Sequence, residues 1–405
     1  MNKPPTRASK HLVEILTPVH VGTGNDLVHE SDYILETGQL RVIDKNTLFN
    51  ILVESEREDL KDLSAKMTQL SDLVRYAGKR DGYILKPTDG KTFRDTDGNL
   101  KKVQIREHIK DGFFQPYLPG SSIKGAIRTA LLAKMIKERG LENLKKEKPP
   151  LLPTNRLSSA ERASEKLSQH LFARKAFEEK EKEKQSPPQF DFLRALHVGD
   201  ANFDKPLPEI LKLVEVHHFN PIGKKQLTTY TEALIQETCG SFTLQWDKFL
   251  FEHEEANSMF ESEKLSDIAD FDKLREILNA HALQRLEEEI TFFQSHRATS
   301  AIESCRDLLR RVKQEANAAY LQLGWGGGWC NKTGNWMDRE TKAEMRKLYP
   351  KNFGSGENFP KTRRLIVKNG QPYFPLGWIK IYSATSVKSE SKSYRWVEDT
   401  LQTIL

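Results

Sequence analysis

The residue pattern predicts an α+β fold, and three observations carry that expectation. Gly240-Ser241-Phe242-Thr243-Leu244-Gln245-Trp246 alternates apolar and polar side chains, as a half-buried strand does. Ile127, Leu131 and Met135 recur every four residues behind a Pro-Gly turn, which is helical spacing. Strand-like and helical runs are mixed along the chain and punctuated by two glycine-rich stretches, which disfavours an all-α or an all-β architecture.

In chain order, His11 to Leu16 reads as a strand that stops at Thr17-Pro18. Val19-His20-Val21 then enters Gly22-Thr23-Gly24-Asn25-Asp26, a turn-forming run expected to end the strand. Tyr33-Ile34-Leu35 and Leu40-Arg41-Val42-Ile43 flank Glu36-Thr37-Gly38-Gln39 as a hairpin would. Polar helical sequence follows from about Lys45 to Lys79, and Asp89-Gly90 and Asp97-Gly98 mark turns. At Pro119-Gly120 a helix begins, with Ser121 or Ser122 placed to cap it. From about Glu142 to Pro188 the chain is charged and repetitive, a surface insertion without chemistry of its own. Ala195 to Ala201 and Leu211 to His217 are strand-like, helical sequence dominates from about Glu252 to Leu323, and Trp378 to Tyr382 reads as a last strand.

With 405 residues the chain is long enough for two domains, each with its own core. The division expected is 1–240 and 241–405, with insertions at about 45–115 and 140–190. Lys and Arg number 63 against 57 Asp and Glu, a formal net charge of +6. That balance hides an asymmetry. Asp247 to Ile290 holds 13 acidic and 5 basic residues, whereas Lys332 to Lys392 holds 13 basic and 5 acidic ones. Opposite fields on one chain suit one face that meets an anion and another that stays solvated or meets a basic neighbour. Twenty Phe, 10 Tyr and 6 Trp exclude a wholly solvated coil. No apolar run of about 18 residues exists to cross a membrane. Cys239, Cys305 and Cys330 stand far apart with no C-x-x-C, so neither a disulfide scaffold nor a cysteine-rich zinc site is expected. The opening residues Met1 to Arg7 carry no hydrophobic leader core, and the compartment expected is a reducing cytoplasm.

Chemistry concentrates in three stretches. Pro119 to Arg128 opens a helix, where backbone N–H groups and the helix dipole favour phosphate. There Ser121 and Ser122 add hydroxyls, Lys124 and Arg128 add cations one turn apart, and Gly120 and Gly125 admit a close backbone. The GxxxxGK[ST] order of a nucleotide-binding loop is absent. Gly324 to Trp329 contains four glycines and two tryptophans and is followed by Lys332. Gly326, Gly327 and Gly328 suit a loop wrapped on a sugar–phosphate chain, and tryptophan offers a face for base stacking, although a core position is expected for Trp325. His20 stands just before Gly22 and Gly24, placed either as a hydrogen-bonded structural group or phosphate contact, or as a general acid/base. His217 and His218 fall on opposite sides of a strand, and neither H-E-x-x-H nor a carboxylate cluster of ligand spacing occurs, so no catalytic metal is expected.

Taken together, Thr17 to Gly24, Leu118 to Arg128 and the Gly324 to Gly328 loop resemble the RAMP superfamily of CRISPR systems, the P-G-S-S-x-K-G-x-x-R form being the most specific part. His197-Val198-Gly199-Asp200-Ala201 is similar to the internal strand before that family's second half. Within the superfamily, the chain resembles the fifth subunits of the type III-A Csm effector complex. The resemblance implies two ferredoxin-like (RRM-like) domains and no cofactor. It implies a non-catalytic place at the 3′ end of the guide (crRNA), beside a RAMP backbone subunit and the small helical subunit, with a part in guide 3′-end maturation through host nucleases. It also implies that Gly120, Ser121, Ser122, Lys124 and Arg128 meet the guide backbone and that His20, Gly22 and Gly24 line the same groove. The target-cleaving relatives carry an aspartate near the early glycines; Asp26 and Asp32 lie there, without a clear alignment. A metal-independent repeat-cleaving ribonuclease using His20 is the enzymatic alternative. A remoter one is a serine acyl-enzyme, since Ser121-Ser122-Ile123-Lys124 and Lys332-Thr333-Gly334 satisfy S-x-x-K and K-T-G.

Overall fold

The computed structural model describes residues 6–54, 69–77, 81–89, 93–146, 167–173, 188–221, 227–332, 336–348, 360, 362–368 and 371–384. The strands are β1 (Thr6–Ile15), β2 (Gly22–Leu27), β3 (Tyr33–Glu36), β4 (Gln39–Ile43), β5 (Gly82–Pro87), β6 (Ile105–His108) and β7 (Leu196–Val198). They continue as β8 (Leu211–Phe219), β9 (Leu227–Leu234), β10 (Cys239–Asp247), β11 (Ala318–Gln322), β12 (Arg363–Lys368), β13 (Gln371–Pro375) and β14 (Trp378–Ser383). Six helices matter below: α1 (Lys45–Glu54), α2 (Leu70–Ala77), α3 (Gly120–Arg139), α4 (Phe271–Ser295), α5 (Thr299–Gln314) and α6 (Arg339–Leu348).

Two sheets organise the mixed fold. The first has the order β11-β14-β1-β10-β7 and is antiparallel throughout. The second runs β2-β6-β9-β8-β5-β4-β3. One edge of β8 is shared in this second sheet: β5 takes its start through Lys212 and Leu213, and β12 takes its end from Val216 to Phe219.

Period-two alternation distributes the first sheet between two layers of helix. Val13, Ile15, Ala319, Leu321, Ile379 and Ile381 join Ile123, Ile127, Leu131 and Met135 of α3 in the main core. Ala318, Tyr320 and Trp378 point the other way, onto Leu286 and Phe293 of α4 and Leu308 and Val312 of α5. The helical spacing read from Ile127, Leu131 and Met135 is therefore the stripe that α3 buries.

The hairpin, the helix start and the strands around Gly240 and Trp378 stand where expected. Several expectations are corrected. Gly22 to Asp26 is not a terminating turn but most of β2, because its backbone pairs with β6 across a register shift between Gly22 and Asp26. Helical sequence ends before Leu323, as Ala318 to Gln322 pairs with β14. The segment 45–115, expected as an insertion, supplies β5 and β6 to the second sheet. The division expected after residue 240 falls inside β10, between β1 and β7. Of the charged insertion, residues 147–166 and 174–187 lie outside the described residues.

The two charge runs partly answer one another. Glu289 of the acidic helix α4 takes Arg363 Nε of the basic segment at 2.8 and 2.7 Å, and also pairs with Arg285 at 3.0 Å. Part of the asymmetry in the sequence is thus internal neutralisation.

At the start of α3 no serine caps the helix; Pro119 holds the N-cap position, and the Gly120 N–H donates to Asp200 Oδ1 at 2.7 Å. The absence of a side chain at Gly120 is required here, since a Cβ would lie 2.1 Å from the Val198 carbonyl oxygen. Gly125, one turn on, has nothing within 4 Å of such an atom. Gly120→Ala is therefore expected to lower stability by about 1–3 kcal/mol in urea unfolding. Gly125→Ala should leave it equal or raise it by about 0.5–1 kcal/mol; equal midpoints for the two variants would contradict this packing.

Candidate nucleic-acid interface

Residues 16–21 carry the chain from the first sheet to the second and are held by backbone at almost every step. Leu16 and Thr17 donate to the Trp378 carbonyl at 3.0 and 3.2 Å, and Gly377 donates to Pro18 at 3.0 Å. Val19 and Leu234 exchange both hydrogen bonds at 2.9 Å. Trp325 N–H then donates to the His20 carbonyl at 2.9 Å. That last contact joins the early glycine motif to the late one. Gly324 makes it possible, with φ +78 and a position where a Cβ would fall 2.4 Å from the His20 oxygen. Beyond Val21 the chain surfaces, and Gly22, Thr23, Gly24, Asn25 and Asp26 are all exposed along β2, an edge strand.

Beneath this junction lies a buried charge. Glu232, on β9, is 0 % exposed. Its carboxylate accepts from Tyr83 Oη at 2.6 Å, from the His108 N–H at 2.9 Å and from Lys110 Nζ at 2.6 Å. The Lys110 side chain is itself only 4 % exposed. Burial, reinforced by the neighbouring Glu232 carboxylate, pushes the Tyr83 hydroxyl well above its ordinary pKa and keeps it a donor.

Two histidines complete the network in neutral form. His20 Nδ1 lies 2.7 Å from the Glu232 carbonyl oxygen, which can only accept, so Nδ1 carries the proton. His108 Nδ1 faces the Val21 N–H at 3.2 Å and therefore accepts, while Nε2 donates to the Tyr117 carbonyl at 3.2 Å. Burial lowers His20 to about 4 and holds His108 well below its ordinary value, with Lys110 close to both. His20 is 3 % exposed and its Nε2 lies beneath Gly22, 2.8 Å from where a Cβ would stand. Its imidazole supports the Gly22 backbone of β2 from beneath and is buried.

The start of α3 presents less than the sequence suggests. Gly120 directs its amide to Asp200, and Ser122 and Ile123 direct theirs to the Pro119 carbonyl. Ser121 and Gly125 are exposed, Ser122 and Lys124 half-buried. Burial lowers the Lys124 pKa, with Asp191 opposing and Arg128 adding to the shift. Arg128, expected to meet the guide backbone, is tied to neighbours within the chain: it pairs with Asp191, lies 3.4 Å from Ser168 Oγ and rests 3.7 Å over the Phe172 ring. The physical reason is that residues 167–173 of the charged insertion, and Asp191 just after it, pack on α3.

In the late loop, Gly326 packs on Leu376 and Gly327 on Asn331, while Gly328 is open and Lys332 exposed. Of the K-T-G pattern only Lys332 is among the described residues. Trp325, expected in a core, is half-buried, with the Arg106 and Arg364 guanidinium carbons 4.5 and 4.4 Å from its ring centroid. His217 bonds Glu215 and His218 bonds Thr229, on opposite faces of β8 as the alternation requires. Asp32 closes its own turn through Val28 N–H at 2.8 Å and pairs with Lys45 at 2.6 Å, whereas Asp26 lies exposed opposite Arg106. Among the described residues no three His, Cys, Asp or Glu side chains gather to hold a metal ion, and no helix is long and apolar enough to cross a membrane.

Sequence reasoning missed Arg106, Lys110, Glu232 and Arg364. Only Arg364 carried a signal, as part of the basic run from Lys332 to Lys392.

The model of the RAMP superfamily matches residues 12–331. CRISPR system Cms protein Csm5 of Methanocaldococcus jannaschii is 24% identical, covering 91% of this chain and 87% of that protein. The protein of the same name from Streptococcus thermophilus is 27% identical over 128 residues, 29% of this chain and 36% of that one. A chain of a Csm–crRNA–target RNA ternary complex of a type III-A CRISPR-Cas system superimposes with a TM-score of 0.69, at 22% identity, covering 93% of this chain and 100% of that one. T. onnurineus Csm5 gives a TM-score of 0.60, at 22% identity, covering 91% and 99%.

The buried histidines set a pH dependence. Unfolded His20 binds a proton below about pH 6.5, whereas folded His20 does so only below about 4, so the unfolded state gains protons first as pH falls. Stability should be complete above pH 6.5 and decline towards pH 4, with about 2 kcal/mol lost at pH 5 from His20 alone. Urea unfolding at pH 7 and 5 measures this, and His20→Gln should flatten the profile. Glu232→Gln removes the nearer carboxylate from buried Lys110, leaving Glu107 at 3.5 Å, and should cost about 3–5 kcal/mol, while Glu232→Gln with Lys110→Met should cost less. A double variant as unstable as the single would exclude the charge pairing.

Proposed function

The chain belongs to the RAMP superfamily, and from that premise we propose that it is a guide-RNA-binding, non-catalytic subunit at the crRNA 3′ end of a type III-A Csm complex. The observation that carries this reading is the junction at His20. The Trp325–His20 hydrogen bond ties the exposed Gly22 to Asp26 strand to the late glycine loop, so two glycine-bearing segments meet at one place on the surface. Such a surface lets a sugar–phosphate strand approach backbone amides closely. Ser121, Lys124 and Gly125 at the start of α3, and Gly328 and Lys332 in the late loop, are the other exposed or half-buried contacts in this reading.

Relatives named Csm5 support the Csm assignment, and a structural neighbour belongs to a Csm–crRNA–target RNA complex. In that setting the partners are a RAMP backbone subunit, the small helical subunit and, for 3′-end maturation, host nucleases, all in the cytoplasm. Each sheet with its helices is read as one ferredoxin-like unit, the chain crossing between them at residues 16–21. Against catalysis stand the buried, neutral His20 and the turn-bound Asp32.

Co-expression with the other complex subunits and guide RNA tests the proposal. The chain should co-purify with them and with RNA, and pure protein in EDTA should give no discrete product from labelled repeat RNA. Lys124→Glu with Gly125→Glu, both outside the core, should lower retained guide several-fold without changing circular dichroism. Unchanged RNA content would remove the α3 site, and a discrete cleavage product would replace the whole reading with the ribonuclease one.

A further inference from the structure

We propose that Arg106, Arg364 and Trp325, on one face of the second sheet, form a phosphate clamp for single-stranded RNA, separate from the start of α3. This deepens the guide-RNA reading and rests on it.

Register builds the face. Arg106 of β6 stands opposite Thr231 of β9, and Thr231 stands opposite Val214 of β8. Further along β8, His218 stands opposite Arg364 of β12. Directly paired residues share a face, so Arg106, His218 and Arg364 project to one side although they come from distant parts of the sequence. The middle of that face is apolar, where Val214, Val216 and Ile366 pack with Leu376 and seat Trp325. Both guanidinium groups lie against this ring, so they are at most about 9 Å apart, the sum of their distances to it.

Neither arginine is ion-paired among the described residues, although Asp26, opposite Arg106 in the strand register, adds one exposed carboxylate to the edge of this face. Arg364 Nε is buried with no hydrogen-bond partner. Its neighbour in sequence shows the contrast: Arg363 points to the opposite side and is bound twice by Glu289. Two arginines held together without a counter-ion repel, and burial together with Arg106 disfavours the Arg364 charge. His218 cannot relieve this, since burial and both arginines oppose its protonation. An anion with several acceptor oxygens relieves it, and phosphate matches the planar guanidinium fork.

Surroundings favour a strand over a free ion. Leu227, paired with His218 on the same face, is 63 % exposed. The exposed β2 backbone adjoins Arg106 through the Asp26 pairing. A charged clamp flanked by an apolar side chain and open backbone suits a polymer carrying both bases and phosphates.

The test measures binding of the full-length chain to a labelled single-stranded oligouridylate as a function of salt. Removing one arginine–phosphate pair should reduce the slope of log affinity against log salt by about 0.7, so Arg106→Gln and Arg364→Gln should each do so and the double variant should remove about 1.4. Affinity of the double variant should fall about tenfold or more at moderate salt. Arg106 is exposed, so its single variant remains informative if the double variant fails to fold. Wild-type slope and affinity in Arg106→Gln and in the double variant would overturn the clamp while leaving the guide-RNA reading intact. Intact RNA binding with loss of a neighbouring subunit would overturn it in favour of an acidic protein partner. A wild-type chain that neither binds the oligouridylate nor retains guide RNA in the complex would sink both.

Discussion

A buried carboxylate that must be fully paired governs this molecule. Glu232 has no access to water, and an unpartnered charge there would cost several kcal/mol. Its donors come from β5 through Tyr83, from β6 through His108 and from just beyond β6 through Lys110. Satisfying it therefore fixes three parts of the second sheet relative to β9. His20, bonded to the carbonyl of the same residue, is fixed with them. The local backbone is then determined to a degree that apolar packing alone rarely achieves.

Such rigidity gives the chain a defined exit. Residues 16–21 bond to Trp378, Gly377, Leu234 and Trp325 in succession, so the early glycines emerge at one place and in one direction. The late glycine loop is tied to the same point, and its tryptophan is seated on the apolar middle of the second sheet. Surface backbone that can meet a polyanion is thus supported by a core that leaves it little freedom to collapse, which is preorganisation at low entropic cost on binding.

Cations in this protein divide by face and by partner. Arg128, Arg285 and Arg363 serve the interior, each with a carboxylate. Arg106 and Arg364 lie against an aromatic ring, with no carboxylate paired to either among the described residues. Adjacent residues on β12 fall on opposite sides of this division, so net charge along a segment says little about which charges a partner would meet.

The mixed α+β class, the α3 stripe, the hairpin at Tyr33 and the strands around Gly240 and Trp378 were legible because each has a short-range signal of period 3.6 or 2 or a turn residue. The three motif stretches were legible for the same reason, and they carried the resemblance to the superfamily. Pairing of strands distant in sequence was not: β2 looks like a turn until β6 lies beside it, and β11 looks helical until β14 does. Nor could a linear reading tell that Asp191 would claim Arg128 or that Asp200 would take the Gly120 amide. Sequence by itself determined which residues can bury, turn or bind phosphate, since those are properties of side chains and their neighbours along the chain. Tertiary structure alone decided which of them remain available, because a charge or an amide is free only where no partner from elsewhere in the chain reaches it.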